Sequence, residues 1–281
     1  MRITKAVITA ASPTQHNLPL QSLVDRQGND RTALQLILDE TAEAGIEEVC
    51  IVVCPGDIQS YSSAAGSHAN RLSFVEQDNP LGYADALARA SSFVGDTPFL
   101  HLVGDHLYLS QSDRCCAKQL VDLAIAEECS VSAVQPTREN KLSFYGTVGA
   151  KRVAGRSDLY EIAKIIEKPT PTQAEQELIV AGLRSGYYLC LFGMHVLTPA
   201  VMKLLKDQLA ANKSSKSPIQ LAPTLSQLAQ QERYLALQIE GTRYNIGEKY
   251  GLLVSQLAIG LSGEDRDQIL TELVELLATK N

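Results

Sequence analysis

The 281-residue chain has no tryptophan and only five phenylalanines, and aromatic residues make up 5% of it. Its core must therefore be filled mainly by aliphatic side chains, which a hydrophobic content of 45% can supply. No apolar run approaches the roughly 20 residues that span a bilayer, so no membrane partner is expected. Basic residues are in deficit: 25 Lys and Arg face 32 Asp and Glu, for a net charge of -7. That balance argues against the extended basic face of a nucleic-acid-binding protein and leaves room only for a local basic pocket. The six cysteines (Cys50, Cys54, Cys115, Cys116, Cys129 and Cys190) include no CxxC pair and no zinc-type spacing. A chain of this length does not need disulfide staples, so they read as reduced, mostly buried thiols. The start, Met1 to Lys5, lacks the apolar stretch and cleavage site of a signal peptide, and a cytoplasmic location is expected.

What is present is an alternation of short apolar runs and helical patterns. Lys5 to Ala10 and Val49 to Val53 read as buried strands, separated by a turn-rich loop (Ala11 to Asp30) and a helix from Thr32 to Ala44. Gly45 stands where that helix should stop. Strands are expected at Leu72 to Glu76, Phe99 to Val103 and Val131 to Val134, with helices at Tyr83 to Ser92 and Ala117 to Glu127. Such alternation builds parallel βαβ units and a doubly wound sheet. Beyond about residue 140, strand-like runs at Gly146 to Ala150, Tyr160 to Ile166 and Tyr187 to Met194 suggest a mixed extension over a cleft. Helices are expected at Pro199 to Leu209 and Leu221 to Gln231, a polar loop at Asn212 to Ser217 and a strand at Tyr234 to Ile239. The tail from Lys249 to Thr279 reads as two helices parted by Ser262-Gly263. One domain is expected over 1–281, with a first part at 1–140, a second at 141–248 and C-terminal helices at 249–281.

A series of short motifs then falls into order: Lys5-Ala-Val-Ile-Thr-Ala-Ala11, Gln77-Asp-Asn-Pro-Leu-Gly82, Gly104-Asp105, Tyr145-Gly146, Ile166-Glu-Lys-Pro169 and Gly241-Thr-Arg-Tyr-Asn-Ile-Gly247. Singly each is weak. Together they resemble the bacterial UTP–glucose-1-phosphate uridylyltransferases (UDP-glucose pyrophosphorylases) of the sugar nucleotidyltransferase family along nearly the whole chain. The resemblance implies an α/β Rossmann-like fold with a mixed, mostly parallel sheet flanked by helices. It implies that Ala10 and Ala11 line the nucleotide, that Gln77 and Gly82 meet the uracil, and that Tyr145, Gly146 and Glu167 hold the sugar. Lys168 would take the sugar phosphate, and Asp105 and the residue at 245 would hold Mg²⁺. The residue types suit these tasks: a glutamine offers both an acceptor and a donor to an imide edge, and a lysine offers a point charge to a phosphate. The same residues also admit plainer readings: a turn at Pro80-Leu81-Gly82, a surface ion pair at Glu167-Lys168 and a solvated strand-end carboxylate at Asp105.

The departures from the family pattern are concentrated where charge is needed. The family's glycine-rich loop reads here Ala10-Ala-Ser-Pro-Thr-Gln-His16-Asn-Leu-Pro19, with Ser12 and Thr14 at the glycine positions, His16 at the arginine and Ser22 near the lysine. Side chains restrict the backbone wrap that holds phosphates, and a histidine is no substitute for a bidentate guanidinium. Asn245 stands at the family's second metal carboxylate, so the implied Mg²⁺ site is weakened. Arg26 and Arg31 are the local candidates for replacement charge. Three readings follow: a diverged uridylyltransferase whose activity is weak or lost, a non-catalytic homologue that binds a UDP-sugar or sugar 1-phosphate and regulates a partner, and a purely structural subunit with a vestigial cleft. The partner would be a second copy of the chain in a homo-oligomer or a catalytic homologue.

Overall fold

The computed structural model describes residues 1–212 and 217–279. Most of the expected polar loop at Asn212 to Ser217 therefore lies outside the described residues. The first half runs β1 (Lys5–Thr9), β2 (Ser22–Val24), β3 (Asp30–Thr32), α1 (Ala33–Glu43), β4 (Glu48–Val53), α2 (Ile58–Ala64), β5 (Leu72–Glu76), α3 (Tyr83–Arg89), α4 (Ser91–Val94), β6 (Phe99–Val103), β7 (His106–Ser110), α5 (Cys116–Glu127) and β8 (Ser130–Arg138). The second half runs β9 (Gly146–Arg152), β10 (Leu159–Glu167), α6 (Pro171–Glu177), β11 (Tyr187–Leu197), α7 (Ala200–Ala211), α8 (Ala222–Gln231), β12 (Tyr234–Gln238), β13 (Gly241–Asn245), α9 (Gly251–Gly260) and α10 (Arg266–Ala278).

Nine strands form one sheet in the order β5-β4-β1-β6-β11-β8-β12-β10-β9. Strands β5, β4, β1 and β6 are parallel neighbours, as the apolar runs and crossover helices require. Their side chains alternate between two cores: Ala6 and Ile8 pack with Leu34, Ile37 and Ile51 on one face, and Val7 packs with Cys50, Val52 and Leu87 on the other. Helix α1 starts where Thr32 and Gln35 close a capping box, the Gln35 N–H donating to Thr32 Oγ1 and the Thr32 N–H to Gln35 Oε1, both at 3.1 Å.

The expectation of a mostly parallel sheet needs correction. Four of the nine strand pairings in this sheet are parallel and five are antiparallel. Strand β11 enters antiparallel between β6 and β8, so the first and second halves share one sheet and residue 140 marks no break in it. Apolar content alone does not encode strand direction.

Six further elements lay outside the sequence reading. The supposed loop from Ala11 to Asp30 contains β2, which pairs with β3 as a small hairpin. Helix α2 is polar (Ile-Gln-Ser-Tyr-Ser-Ser-Ala) and α6 is short, so neither carries a clear amphipathic signal. Strand β7 forms an antiparallel ribbon with β13, and this ribbon carries the chain across the site.

Candidate functional site

Strands β1, β4, β5 and β6 end on one edge of the sheet, the edge at which open α/β sheets bind ligands. Ala10 follows β1 and is buried, its N–H donating to Val52 O at 2.8 Å. Ala11 beside it is also buried. Gln77 follows β5 and donates its backbone N–H to Val53 O at 2.9 Å. Gly104 follows β6 and donates to Thr9 O at 2.9 Å, which sets Asp105 at the same edge.

The second half supplies the opposite wall. Glu167 ends β10 in register with Gly146 at the start of β9. The Lys168 N–H donates to Tyr145 O at 3.2 Å, and Lys168 has φ +46°, a conformation that non-glycine residues adopt only under constraint. A Cβ on Gly146 would stand 3.2 Å from Glu167 Oε2 and 2.9 Å from Leu191 Cδ1, so the bare backbone leaves the carboxylate its place. Ribbon β7–β13 pairs His106 with Asn245, and the Ile246 N–H donates to Asp105 O at 2.9 Å. Tyr145 reaches the same ribbon: its hydroxyl donates to Glu248 Oε1 at 2.7 Å, and its ring faces the His106 ring at 6.5 Å between centroids. Asp105, Tyr145, Gly146, Glu167, Lys168 and Asn245 are thus brought together from four separate stretches of chain.

The charges respond to one another. Burial acts to raise the Asp105 carboxyl, but the His106 ring, hydrogen-bonded to Asp105 Oδ1 at 2.7 Å, and the Lys168 ammonium outweigh it and hold the group below its ordinary range. Burial raises the Glu167 carboxyl, with Lys168 partly offsetting it. Burial and the bond to Glu248 push the Tyr145 phenol up to about 12, so it stays a neutral donor.

After β5, Gln77 is 4% exposed and its amide Nε2 donates to Asp85 Oδ2 at 2.7 Å and Gly82 O at 3.2 Å. Both amide protons are therefore committed, and what Gln77 offers a ligand is its Oε1 acceptor alone. Gly82 has φ +115°, and a Cβ there would lie 2.4 Å from Ile219 N. The requirement for glycine at 82 thus comes from the chain's own 218–219 segment, which hydrogen-bonds to Leu81 O and Ala84 N. Tyr83 links Gly82 to the rest: it is half-buried, its hydroxyl meets His101 Nε2 at 2.7 Å, and the Asp105 and Glu167 charges reinforce the desolvation that keeps it neutral. Sequence reasoning missed Tyr83, Asp85, His106 and Glu248, all of which support the expected residues from behind.

The nucleotide loop is placed differently from what a phosphate wrapper needs. The His16 and Gln15 N–H groups both turn back to Ser12 O, at 2.8 and 3.0 Å. His16 Nδ1 meets Asp57 Oδ2 at 2.6 Å, and Tyr61 donates its hydroxyl to His16 O. His16 is thus tied to the end of β4 and the start of α2. The two arginines that could have replaced the missing charge are also committed. Arg31 pairs with Asp39 at 2.8 Å and Asp25 at 3.7 Å, and Arg26 donates to Ser110 O at 3.3 Å. Both line a separate cavity with Glu40 and Cys115.

Of the two oxygens expected to hold Mg²⁺ beside the nucleotide, Asp105 Oδ1 is engaged by His106, and Asn245 Oδ1 accepts the Gly247 N–H at 2.8 Å. Mg²⁺ takes oxygen donors in a near-octahedral set anchored by carboxylates. A single carboxylate, already bonded to His106, beside a neutral amide fits that ion poorly.

Comparison with known proteins agrees with this architecture. A family model described as nucleotidyl transferase matches residues 22–248, a stretch that begins just after the divergent loop. The chain is 25% identical over 303 residues to the UTP–glucose-1-phosphate uridylyltransferase of Streptococcus pneumoniae, covering 98% of this chain and 96% of that protein. It is 27% identical over 308 residues to UTP–glucose-1-phosphate uridylyltransferase YngB of Bacillus subtilis, with the same coverage. Among solved structures, a UDP-glucose pyrophosphorylase complexed with UDP-glucose superposes with a TM-score of 0.76 at 22% identity, over 92% of this chain and 98% of that one. A UTP-bound UDP-glucose pyrophosphorylase from Acinetobacter baumannii gives 0.75 at 21% identity, over 97% and 99%. These structures share the fold, and by the family model that spans most of its length, the chain belongs to the nucleotidyl transferase family.

Proposed function

We propose that this protein is a uridylyltransferase-like sugar nucleotidyltransferase whose cleft holds a UDP-sugar or a sugar 1-phosphate, and whose transfer activity is weak or lost. The family reaction would be attack of a sugar 1-phosphate oxygen on the α-phosphorus of UTP, with pyrophosphate leaving. Gln77 Oε1 would accept the imide N–H of uracil. Glu167 would accept from sugar hydroxyls, with Gly146 giving the ring access to the backbone. Lys168 would set its ammonium against the phosphate on the sugar.

The observation that carries the proposal is the split between the two ends of the site. The residues proposed for base and sugar have their supporting hydrogen bonds made, while the groups that would bear the triphosphate are absent or tied elsewhere. His16 is bound to Asp57, and Arg26 and Arg31 are bound to other partners. Phosphoryl-type transfer depends on positioning and charge stabilisation, and removing one transition-state donor costs on the order of a hundredfold or more in rate. Mg²⁺ would supply charge neutralisation to the leaving pyrophosphate, but its residues fit poorly and no step is assigned to it. A cleft that binds without turnover suits a regulatory subunit acting on a catalytic homologue, which is the second reading favoured by the committed arginines.

Turnover of UTP and glucose 1-phosphate with excess Mg²⁺ tests the proposal. The expected rate is far below the roughly 10 per second of a typical enzyme, and Asn245→Asp is expected to tighten UTP–Mg²⁺ binding. Wild-type turnover near that typical rate would refute the loss of transfer chemistry.

A further inference from the structure

The divergent nucleotide loop ends in a cluster that the proposed function does not use. Cys54 follows β4, Asp57 stands just before α2, and His16 reaches them from the loop. One ligand atom from each of the three lies within 4.8 Å of the other two. Tetrahedral zinc with bonds of about 2.0 to 2.3 Å sets its ligands about 3.3 to 3.7 Å apart, so closing on an ion takes a shift of about an ångström or less. The cluster is part-buried: the His16 and Asp57 side chains are 28% and 19% exposed, which leaves an entry path and limits solvent. Its frame is held from behind. Tyr61 anchors His16 through the backbone carbonyl, and the Gly56 N–H donates to Glu76 Oε1 at 2.8 Å in the turn between Cys54 and Asp57.

We propose that His16, Cys54 and Asp57 form a three-ligand site for a borderline-soft divalent cation of the zinc class, with the fourth position open to water. The donor set of one imidazole nitrogen, one thiolate and one carboxylate oxygen selects zinc or cobalt over magnesium, which prefers oxygen alone. Binding exchanges the His16–Asp57 hydrogen bond for two metal bonds and releases the Cys54 thiol proton to solvent. Affinity therefore rises with pH. The bound ion would join the loop to β4 and α2, so the segment that wraps phosphate in the family would here be latched by a metal. The proposal does not rest on nucleotide binding. His16 lies far from the other two in sequence and the third ligand is a carboxylate, so no cysteine spacing announced the cluster.

The test is titration of the reduced, chelator-stripped full chain with Co²⁺, read by absorption. The expected result is one equivalent bound with a thiolate-to-cobalt charge-transfer band in the near ultraviolet and the intense visible bands of tetrahedral Co²⁺. Zinc should abolish the bands by displacement, and Mg²⁺ should leave them unchanged. Cys54→Ser should lose the charge-transfer band. His16→Gln and Asp57→Asn should each weaken binding at least about tenfold, as loss of metal-site partners does. The five other cysteines are buried, so a thiolate band can be assigned through Cys54→Ser. Circular dichroism of each variant checks the fold, and the two non-cysteine variants test the site if Cys54→Ser does not fold. A wild-type titration without a charge-transfer band, or a band that survives in folded Cys54→Ser, would overturn the proposal.

Discussion

Gln77 is held in one orientation by two acceptors, and this predicts which bases the cleft admits. Its Nε2 donates to the Asp85 carboxylate at 2.7 Å and to the neutral Gly82 carbonyl at 3.2 Å. A bond to a charged group contributes about 1.5 to 3 kcal/mol and a neutral one about 0.5 to 1.5. Turning the amide over would cost both, so about 2 to 4.5 kcal/mol oppose it. With Oε1 facing the ligand, uracil N3–H finds an acceptor, whereas cytosine N3 meets a second lone pair. Wild-type protein should therefore prefer UDP-glucose to CDP-glucose by roughly thirtyfold or more. Asp85→Ala removes the charged anchor and leaves only the Gly82 carbonyl to resist the turn. The preference should then fall to about tenfold or less. Calorimetric titration of both nucleotides against both proteins reads the two ratios. Equal wild-type affinities, or a ratio unchanged in folded Asp85→Ala, would refute the role given to Gln77.

Lys168→Ala is expected to weaken UDP-glucose binding about tenfold or more through loss of a charge-assisted contact, while His16→Ala, whose side chain is occupied by Asp57, should leave it nearly unchanged; competition binding separates the two. Buried Glu40 predicts a pH effect on stability. Burial raises its carboxyl from 4.5 to about 7, against the opposing Ala117 N–H. The folded state holds this proton above the unfolded pKa, so Glu40 costs nothing near pH 4, increasingly more as pH rises to about 7, and a constant amount above. Glu40→Gln keeps an acceptor for Ala117 and should add up to about 3 kcal/mol at pH 8 with little change at pH 4, read from urea unfolding at both values.

The parts of the fold legible in the sequence are those with a strong local signal. Apolar runs at Lys5–Thr9, Glu48–Val53 and Phe99–Val103 marked strands because strands buried on both faces are nearly continuously apolar. Their parallel order followed from the helices between them. The direction of β11 was not legible, because Tyr187–Leu197 reads equally well either way, and its antiparallel insertion makes the sheet mixed. The β7–β13 ribbon was missed on both sides: the strand reading stopped at Gly104-Asp105-His106, and Gly241 to Gly247 was read as a motif with no strand assigned. Yet that ribbon is what brings Asn245 beside Asp105. Motif order singled out residues that the fold brings together, but not the groups behind them. Asp85 and Glu248 are ordinary acids in sequence, and only the fold reveals that they fix Gln77 and Tyr145. Gly82 was read through a ligand, and the structure adds the close approach of Ile219.

The central claim is that the cleft keeps its base and sugar ends and has lost its hold on the triphosphate. The most direct test is calorimetric titration of the wild-type protein with UDP-glucose and, separately, with UTP and excess Mg²⁺. On the proposed function UDP-glucose would use Gln77, Glu167 and Lys168, whereas the β and γ phosphates of UTP would face a loop whose His16 is tied to Asp57. The loss of even one charge-assisted contact, about 1.5 kcal/mol, predicts binding of UDP-glucose at least tenfold tighter than UTP–Mg²⁺. Equal or tighter binding of UTP–Mg²⁺ would contradict the account and would mean that other cations have rebuilt the phosphate site.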